Sequence, residues 1–201
     1  MQQKLGGRAM RFTALQRFAV ERVGFSWQAR FPVAGPLALR IVDDHADGDG
    51  KLEGRMLGVP VLRQAGSEAA TAQALRYLSE LAWVPYAMAH NNELEWRELE
   101  ERSVEVAAYV GGERLAVKLE FDDAGDIRRA STRMRSFRVA KRLVPTPWGG
   151  AFAEYGVLGG LRVPTSAEVY WDLAIGRFTY WRGTVTALEL LDLPFQRRDQ
   201  R

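Results

Sequence analysis

The sequence predicts an α+β domain: a large, curved, half-barrel-like antiparallel β-sheet with one main helix packed on its concave face. Two observations carry this reading. Only one long stretch, Ser67 to Met88 (SEAATAQALRYLSELAWVPYAM), has helical periodicity. The remainder is written in short runs of alternating apolar and polar residues, separated by glycine-rich or aspartate-rich turns. That is the signature of half-buried strands joined as antiparallel neighbours.

The helix is expected over Ser67–Val84. Ser67 suits an N-cap, because its hydroxyl can accept from a free backbone N–H one turn in. Glu68 then meets the positive end of the helix dipole. Alanines and leucines dominate the body, and both favour helix. Leu75, Leu78, Ala82 and Trp83 share a face by three-and-four spacing, whereas Arg76 and Glu80 lie four apart on another. Pro85 should end the helix near Val84, since the residue before proline is pushed out of the α region. An apolar stripe must be buried, and the flanking segments offer only strands.

The first ten residues read as a loose arm, 11–195 as a single domain and 196–201 as a charged tail. Arg11 to Val20 is ambiguous between helix and strand. In Val23 to Phe31 the residues Val23, Phe25, Trp27, Ala29 and Phe31 alternate with polar ones, and Pro32 should break that strand. Leu37, Leu39 and Ile41 open the next strand, and Asp43 and His45 continue the same face. Asp47-Gly48-Asp49-Gly50 is a turn, and Lys51 to Leu57 returns. Gly58 to Leu62 reads as a short connection into the helix. After the helix, Glu93 to Leu99, Val104 to Val110 and Leu115 to Phe121 form a meander, with Gly111-Gly112 as a hairpin turn because both positions tolerate positive φ. Asp122 to Gly125 turns the chain into a strand over Asp126–Val139. Residues 143–156 read as a loop, Val157 to Val163 as a hairpin about Gly159-Gly160, Thr165 to Trp171 as a strand, and Phe178 to Leu191 as a long final strand.

A chain of 201 residues can bury a sizeable core without staples. It has no cysteine, which excludes disulfides, thiolate nucleophiles and zinc–thiolate sites. No apolar run approaches the roughly 20 residues of a membrane span, and no signal-peptide core follows Met1. A soluble, cytoplasmic location is the default, with a periplasmic or anchored one if an upstream segment has been removed. The net charge of +3 is too small to argue for nucleic acid.

Asp43, Asp44, His45, Asp47 and Asp49 resemble a calcium loop only superficially. With Gly48 as the sixth residue the twelfth is Gly54, and with Gly50 it is Met56, so the closing glutamate is missing. A solvated hairpin turn is the plainer reading. Asp43 and His45 on an otherwise apolar face could line a cavity mouth, or the strand simply leaves the core there. His90 is the only other histidine, and no metal or cofactor is expected. Glu80 either pairs with Arg76 on the surface or is desolvated among Leu78, Leu81 and Trp83, as a general acid or as a buried structural partner for an arginine. Arg128, Arg129, Arg133, Arg135, Arg138, Lys141 and Arg142 make a basic stretch, read as a solvated outer face. Six tryptophans, nine phenylalanines and six tyrosines supply either ordinary core or the lining of an apolar cavity. No phosphate-binding or nucleophile-elbow motif is present.

Several residues together carry a resemblance. They are Phe12-Thr13-Ala14, Gln16, Phe18, Gly24-Phe25, Trp27, Arg76-Tyr77-Leu78, Glu80, Trp83, Pro85 and Trp96, and then Pro147-Trp148, Phe152, Tyr155, Gly160, Arg162-Val163-Pro164, Glu168, Trp171 and Tyr180-Trp181-Arg182-Gly183. The pattern resembles an uncharacterised bacterial family, a domain of unknown function, over about Phe12 to Glu189. The resemblance implies no activity. The layout is also similar to half-barrel proteins that carry lipoproteins or lipids, which is a likeness of architecture alone.

The function expected is non-catalytic binding or carriage of a lipid-like ligand between helix and sheet. Trp27, Trp83, Trp96 and Trp171 would line the space, with Asp43, His45, Glu80 or Glu168 at its polar rim. The alternative is an enzyme using a buried Glu80 assisted by His45, His90 or Glu168. A third possibility is a partner-binding module that uses the basic strand. A nucleic-acid partner is not expected.

Overall fold

Antiparallel strands dominate the computed structural model, which describes residues 9–140, 142–192 and 195. The first five strands are β1 (Thr13–Phe18), β2 (Phe25–Ala34), β3 (Leu37–Ala46), β4 (Asp49–Met56) and β5 (Val59–Ala65). They pair in chain order as one open sheet. Helix α1 (Ser67–Ser79), a 3-10 turn (Leu81–Trp83) and the short helix α2 (Pro85–His90) follow. Then come β6 (Glu95–Glu100), β7 (Ser103–Val110), β8 (Glu113–Phe121), β9 (Ile127–Thr132), β10 (Ser136–Val139), β11 (Arg142–Pro145), β12 (Trp148–Leu158), β13 (Leu161–Leu173) and β14 (Gly176–Thr184). Seven of these make a large open sheet in the order β14-β13-β12-β9-β8-β7-β6, and β10 and β11 pair only with each other.

The fold is therefore α+β with a large antiparallel sheet and one main helix. The strands are shared between two open sheets, and α1 packs against both: on β3, β4 and β5 of the first, and on β7, β8 and β9 of the second. Leu75 and Leu78 of α1 and Leu81 of the 3-10 turn are fully buried, and each such burial is worth roughly 1.5–3 kcal/mol. The strands whose alternation is cleanest contribute to the same core. Phe25, Trp27, Ala29 and Phe31 of β2 are buried, as are Val106 and Ala108 of β7 and Leu115, Val117 and Leu119 of β8. The β7–β8 turn has Gly111 at φ 60° and Gly112 at φ 81°, the left-handed pair that a two-residue hairpin needs.

Local structure departs from expectation at several points. Ser67 is the first helical residue and not the cap; Gly66 is the cap, at φ 92°, and no side chain bonds to the exposed amides. The expected Ser67–Val84 helix is regular only to Ser79; Glu80 leaves it, and Leu81–Trp83 is a 3-10 turn. The end at Val84 is the one expected from Pro85: Val84 has φ −131°, and Pro85 opens α2 as its first residue. The apolar 58–62 connection is part of edge strand β5, where Pro60 is tolerated beside an irregularity at Gly54/Arg55. Pro32 does not end β2, which runs on with a register shift. The single strand expected over Asp126–Val139 is two, β9 and β10, because the chain leaves the large sheet at Arg133. The loop expected over 143–156 is β11 and most of β12. The last strand stops at Thr184, after which residues 185–192 run without regular structure. Met10 packs against the core. Residues 1–8 of the expected arm, Lys141 and the tail 196–201 lie outside the described residues.

Candidate functional site

The strongest polar constellation is assembled by strand register. Gln16 of β1 lies directly beside Trp27 of β2, which lies directly beside Asp43 of β3. Directly paired residues put their side chains on the same face, so this row presents an amide, an indole and a carboxylate together. Arg76 descends onto it from α1. Its Nη1 donates to Asp43 Oδ2 at 2.6 Å, its Nη2 to Gln16 Oε1 at 2.9 Å, and its Nε to Glu80 Oε1 at 2.8 Å. The guanidinium plane stands over the rings of Phe25 (4.7 Å) and Trp27 (5.1 Å). Gln16 closes the ring of bonds by donating to Glu80 Oε2, and Gln73 donates to the other oxygen of Asp43.

Burial disfavours the Arg76 charge, but the Glu80 and Asp43 carboxylates outweigh it and raise the guanidinium pKa above its ordinary value. The sequence pairing of Arg76 with Glu80 is present. Its surface setting is not, for the Glu80 side chain is only 12% exposed. The helix supplies Arg76 and Glu80 one turn apart, and the sheet supplies Asp43, 33 residues from Arg76 in the chain. Asp43 on the inner face of β3 is thereby explained, since it pairs with Arg76; His45, two residues on, is fully buried. Gln16 and Gln73 were not anticipated. Gln16 could have been found from its parity, since it shares the alternation of Ala14 and Phe18.

Beside this network lies a groove of about 2780 Å³ between edge strand β1, the 3-10 turn, the face of β12–β14 and the segment 184–192. Aromatic rings form a continuous chain along it. Phe12 is 5.2 Å from Phe31 and 6.0 Å from both Trp27 and Trp181, and Trp83 is 6.3 Å from Trp181 and 5.3 Å from Phe152. The chain of rings passes from one sheet to the other. Trp83 is fixed by its indole N–H, which donates to the Pro164 carbonyl at 2.9 Å. Leu15, Leu190 and Leu191 add exposed aliphatic surface, and Glu80, Arg128, Arg129, Glu168 and Arg182 supply charges to the walls.

Of the residues singled out from sequence, Trp27, Glu80, Trp83 and Glu168 reach this groove. Glu168 pairs with Arg182 at 3.2 Å. Asp43 belongs to the polar network under α1, and His45 is fully buried on the same strand. Trp96 is 41% exposed on β6, the outermost strand of the large sheet. Trp171 belongs to another cluster, with Phe137 at 5.1 Å and Trp148 at 6.4 Å. His90 stacks on Tyr86 and bonds its carbonyl on exposed α2. Buried side chains of α1 and of both sheets pack together in one core, and the groove lies to one side of it. Among the described residues no cluster of three His, Asp or Glu could hold a metal ion, and no helix is long and apolar enough to cross a membrane.

Residues 1–183 match DUF6544, a family of unknown function. The chain belongs to DUF6544. No curated protein and no solved structure matches it. The DUF6544 match includes both sheets almost to the end of β14, and with them the Arg76 network and the aromatic chain; the segment 184–192, which forms one wall of the groove, lies beyond it.

Proposed function

We propose that this domain binds a lipid-like ligand in the groove between β1 and β12–β14 without transforming it. The observation that carries the reading is the lining itself: an unbroken chain of rings from Phe12 through Trp181 and Trp83 to Phe152, flanked by exposed Leu15, Leu190 and Leu191 and rimmed by Arg128, Arg129, Glu168 and Arg182. An apolar floor with a charged edge suits an amphiphile whose chain lies on the rings and whose polar head meets that edge. Pockets for compact small molecules are usually about 300–1,000 Å³. The groove exceeds that range, which favours a long or multi-chain ligand. The two open sheets astride one helix also leave room for the comparison with half-barrel lipid carriers, a likeness of layout only.

The catalytic alternative has less support. Both oxygens of Glu80 already accept bonds from Arg76 and Gln16, and His90 and Glu168 have partners of their own elsewhere.

The test is to extract the purified full chain for retained lipid and to titrate it with a fluorescent fatty acid. Saturable binding, with quenching of tryptophan emission from Trp83 and Trp181, is expected. Leu15→Asp and Leu191→Asp, both at exposed positions, should weaken it at least tenfold. No retained lipid together with no saturable probe binding would overturn the reading.

A further inference from the structure

Between Asp126 and Glu154 the chain contains no acidic residue. Part of this stretch is the β10–β11 hairpin, which pairs with no other strand. Its base is anchored on the large sheet. Phe137 packs against Trp171 at 5.1 Å, the Arg135 guanidinium lies 4.2 Å over the Trp148 ring, and the Thr146 amide donates to the Arg135 carbonyl at 2.9 Å. Beyond that anchor the hairpin stands in solvent, with every residue of β11 exposed.

What it exposes is unusual in combination. Val139 is 54%, Val144 43% and Leu143 39% exposed. Arg133, Arg138 and Arg142 are exposed too, and none has a carboxylate partner among the described residues. The arginines of β9 differ, for Arg128 and Arg129 face Asp122 and Glu120 at 3.8 Å. Register distributes the mixture over both faces of the hairpin. Val139 lies opposite Arg142, and Arg138 lies opposite Leu143. Each face of the tip thus carries an aliphatic side chain beside a cation.

We propose that the β10–β11 hairpin docks on an anionic lipid surface, with Val139 and Leu143 entering the interface and Arg138 and Arg142 meeting the headgroups. Unpaired cations are complementary to acidic lipids and bind them through the surface potential. The aliphatic residues decide between a bilayer and a nucleic acid. A phosphodiester backbone gains nothing from exposed valine and leucine, and the one aromatic of the hairpin, Phe137, is turned onto Trp171 where it cannot stack on bases. This surface is distinct from the groove and stands whether or not the groove holds a ligand.

The experiment is co-sedimentation of the full chain with vesicles of phosphatidylcholine, with and without phosphatidylglycerol, across a salt series. Binding is expected only to the acidic vesicles and should fall as salt rises. Arg138→Gln/Arg142→Gln should weaken partitioning about twenty-five-fold, a factor of roughly five for each charge. Val139→Ser/Leu143→Ser should weaken it severalfold with the charge unchanged. Leu15→Asp in the groove should bind vesicles as the unaltered chain does. All these positions are exposed, and unchanged thermal unfolding verifies that each variant is folded. Absence of binding to acidic vesicles would overturn the proposal. So would indifference to the Val139/Leu143 change with tighter binding to a short DNA duplex, which would assign the hairpin to nucleic acid.

Discussion

Arg76 Nη1 lies 2.6 Å from Asp43 Oδ2, and this bond fastens the main helix to the five-stranded sheet across 33 residues of chain. The contact is well buried, with the two side chains 15% and 14% exposed. A buried ion pair is not in itself strong evidence of net stabilisation, because desolvation offsets much of the attraction. Removing one member is another matter, since it strands the others.

Arg76→Leu would leave Asp43 and Glu80 buried without their cation. The expected loss is about 3–5 kcal/mol, read from chemical denaturation. Arg76→Lys keeps the charge but not the planar fork that reaches Asp43, Gln16 and Glu80 at once, so it should lose less yet still be measurable. Equal stabilities for the three proteins would show that the network contributes nothing to folding.

Gly50 explains how closely α1 approaches β4. A Cβ there would come within 2.4 Å of the Ala70 amide nitrogen and 2.6 Å of the Ala69 carbonyl carbon. Backbone cannot step aside as a side-chain tip can, so Gly50→Ala should cost about 3 kcal/mol. Gly58, at φ 81° with open space around it, is the control. Gly58→Ala should cost only the left-handed penalty of about 1 kcal/mol. The difference between the two midpoints checks the contact.

The Tyr77 hydroxyl donates to the Ala19 carbonyl at 2.9 Å and accepts from Asn91 Nδ2 at 3.0 Å, all in the interior. Tyr77→Phe leaves both partners short of a bond and should destabilise by about 1–3 kcal/mol. Burial, only partly countered by the Asn91 hydrogen bond, raises the phenol pKa. In a spectrophotometric titration of the folded protein Tyr77 should stay protonated after exposed tyrosines have ionised.

Glu105 gives a pH dependence. Burial alone would raise its pKa, but hydrogen bonds from Arg97 and Arg114 outweigh that and hold it below the ordinary value of 4.5. A carboxylate whose folded pKa is lowered contributes stability that is complete above its unfolded pKa and disappears as pH falls through the folded value. The unaltered protein should therefore exceed Glu105→Gln by about 0.5 kcal/mol near neutrality, a modest amount because the arginines are partly solvated. Below pH 4.5 that difference should shrink. A gap that is constant with pH would assign the effect to packing.

Much of the local structure is legible in the chain. The alternation of β2, β7 and β8, the Gly111-Gly112 turn and the helical stripe of Leu75 and Leu78 follow from side-chain period and backbone freedom, which neighbouring residues determine among themselves. Other features are not legible. Nothing local distinguishes a strand of the first sheet from one of the second, because the partition depends on which distant backbone groups pair. β9 skips β10 and β11 to pair with β12, and no sequence period encodes that skip.

The same holds for the candidate sites. The sequence by itself determined that Arg76 and Glu80 stand one turn apart, and that Asp43 and His45 face the wrong way for a surface strand. Only the tertiary structure decided that Arg76, Glu80 and Asp43 are one buried network and that the groove lies beside the helix. A residue's charge state and exposure are set by what folds onto it. For Arg76 that is a row of side chains from three strands, brought side by side by hydrogen-bond register between strands the sequence holds apart.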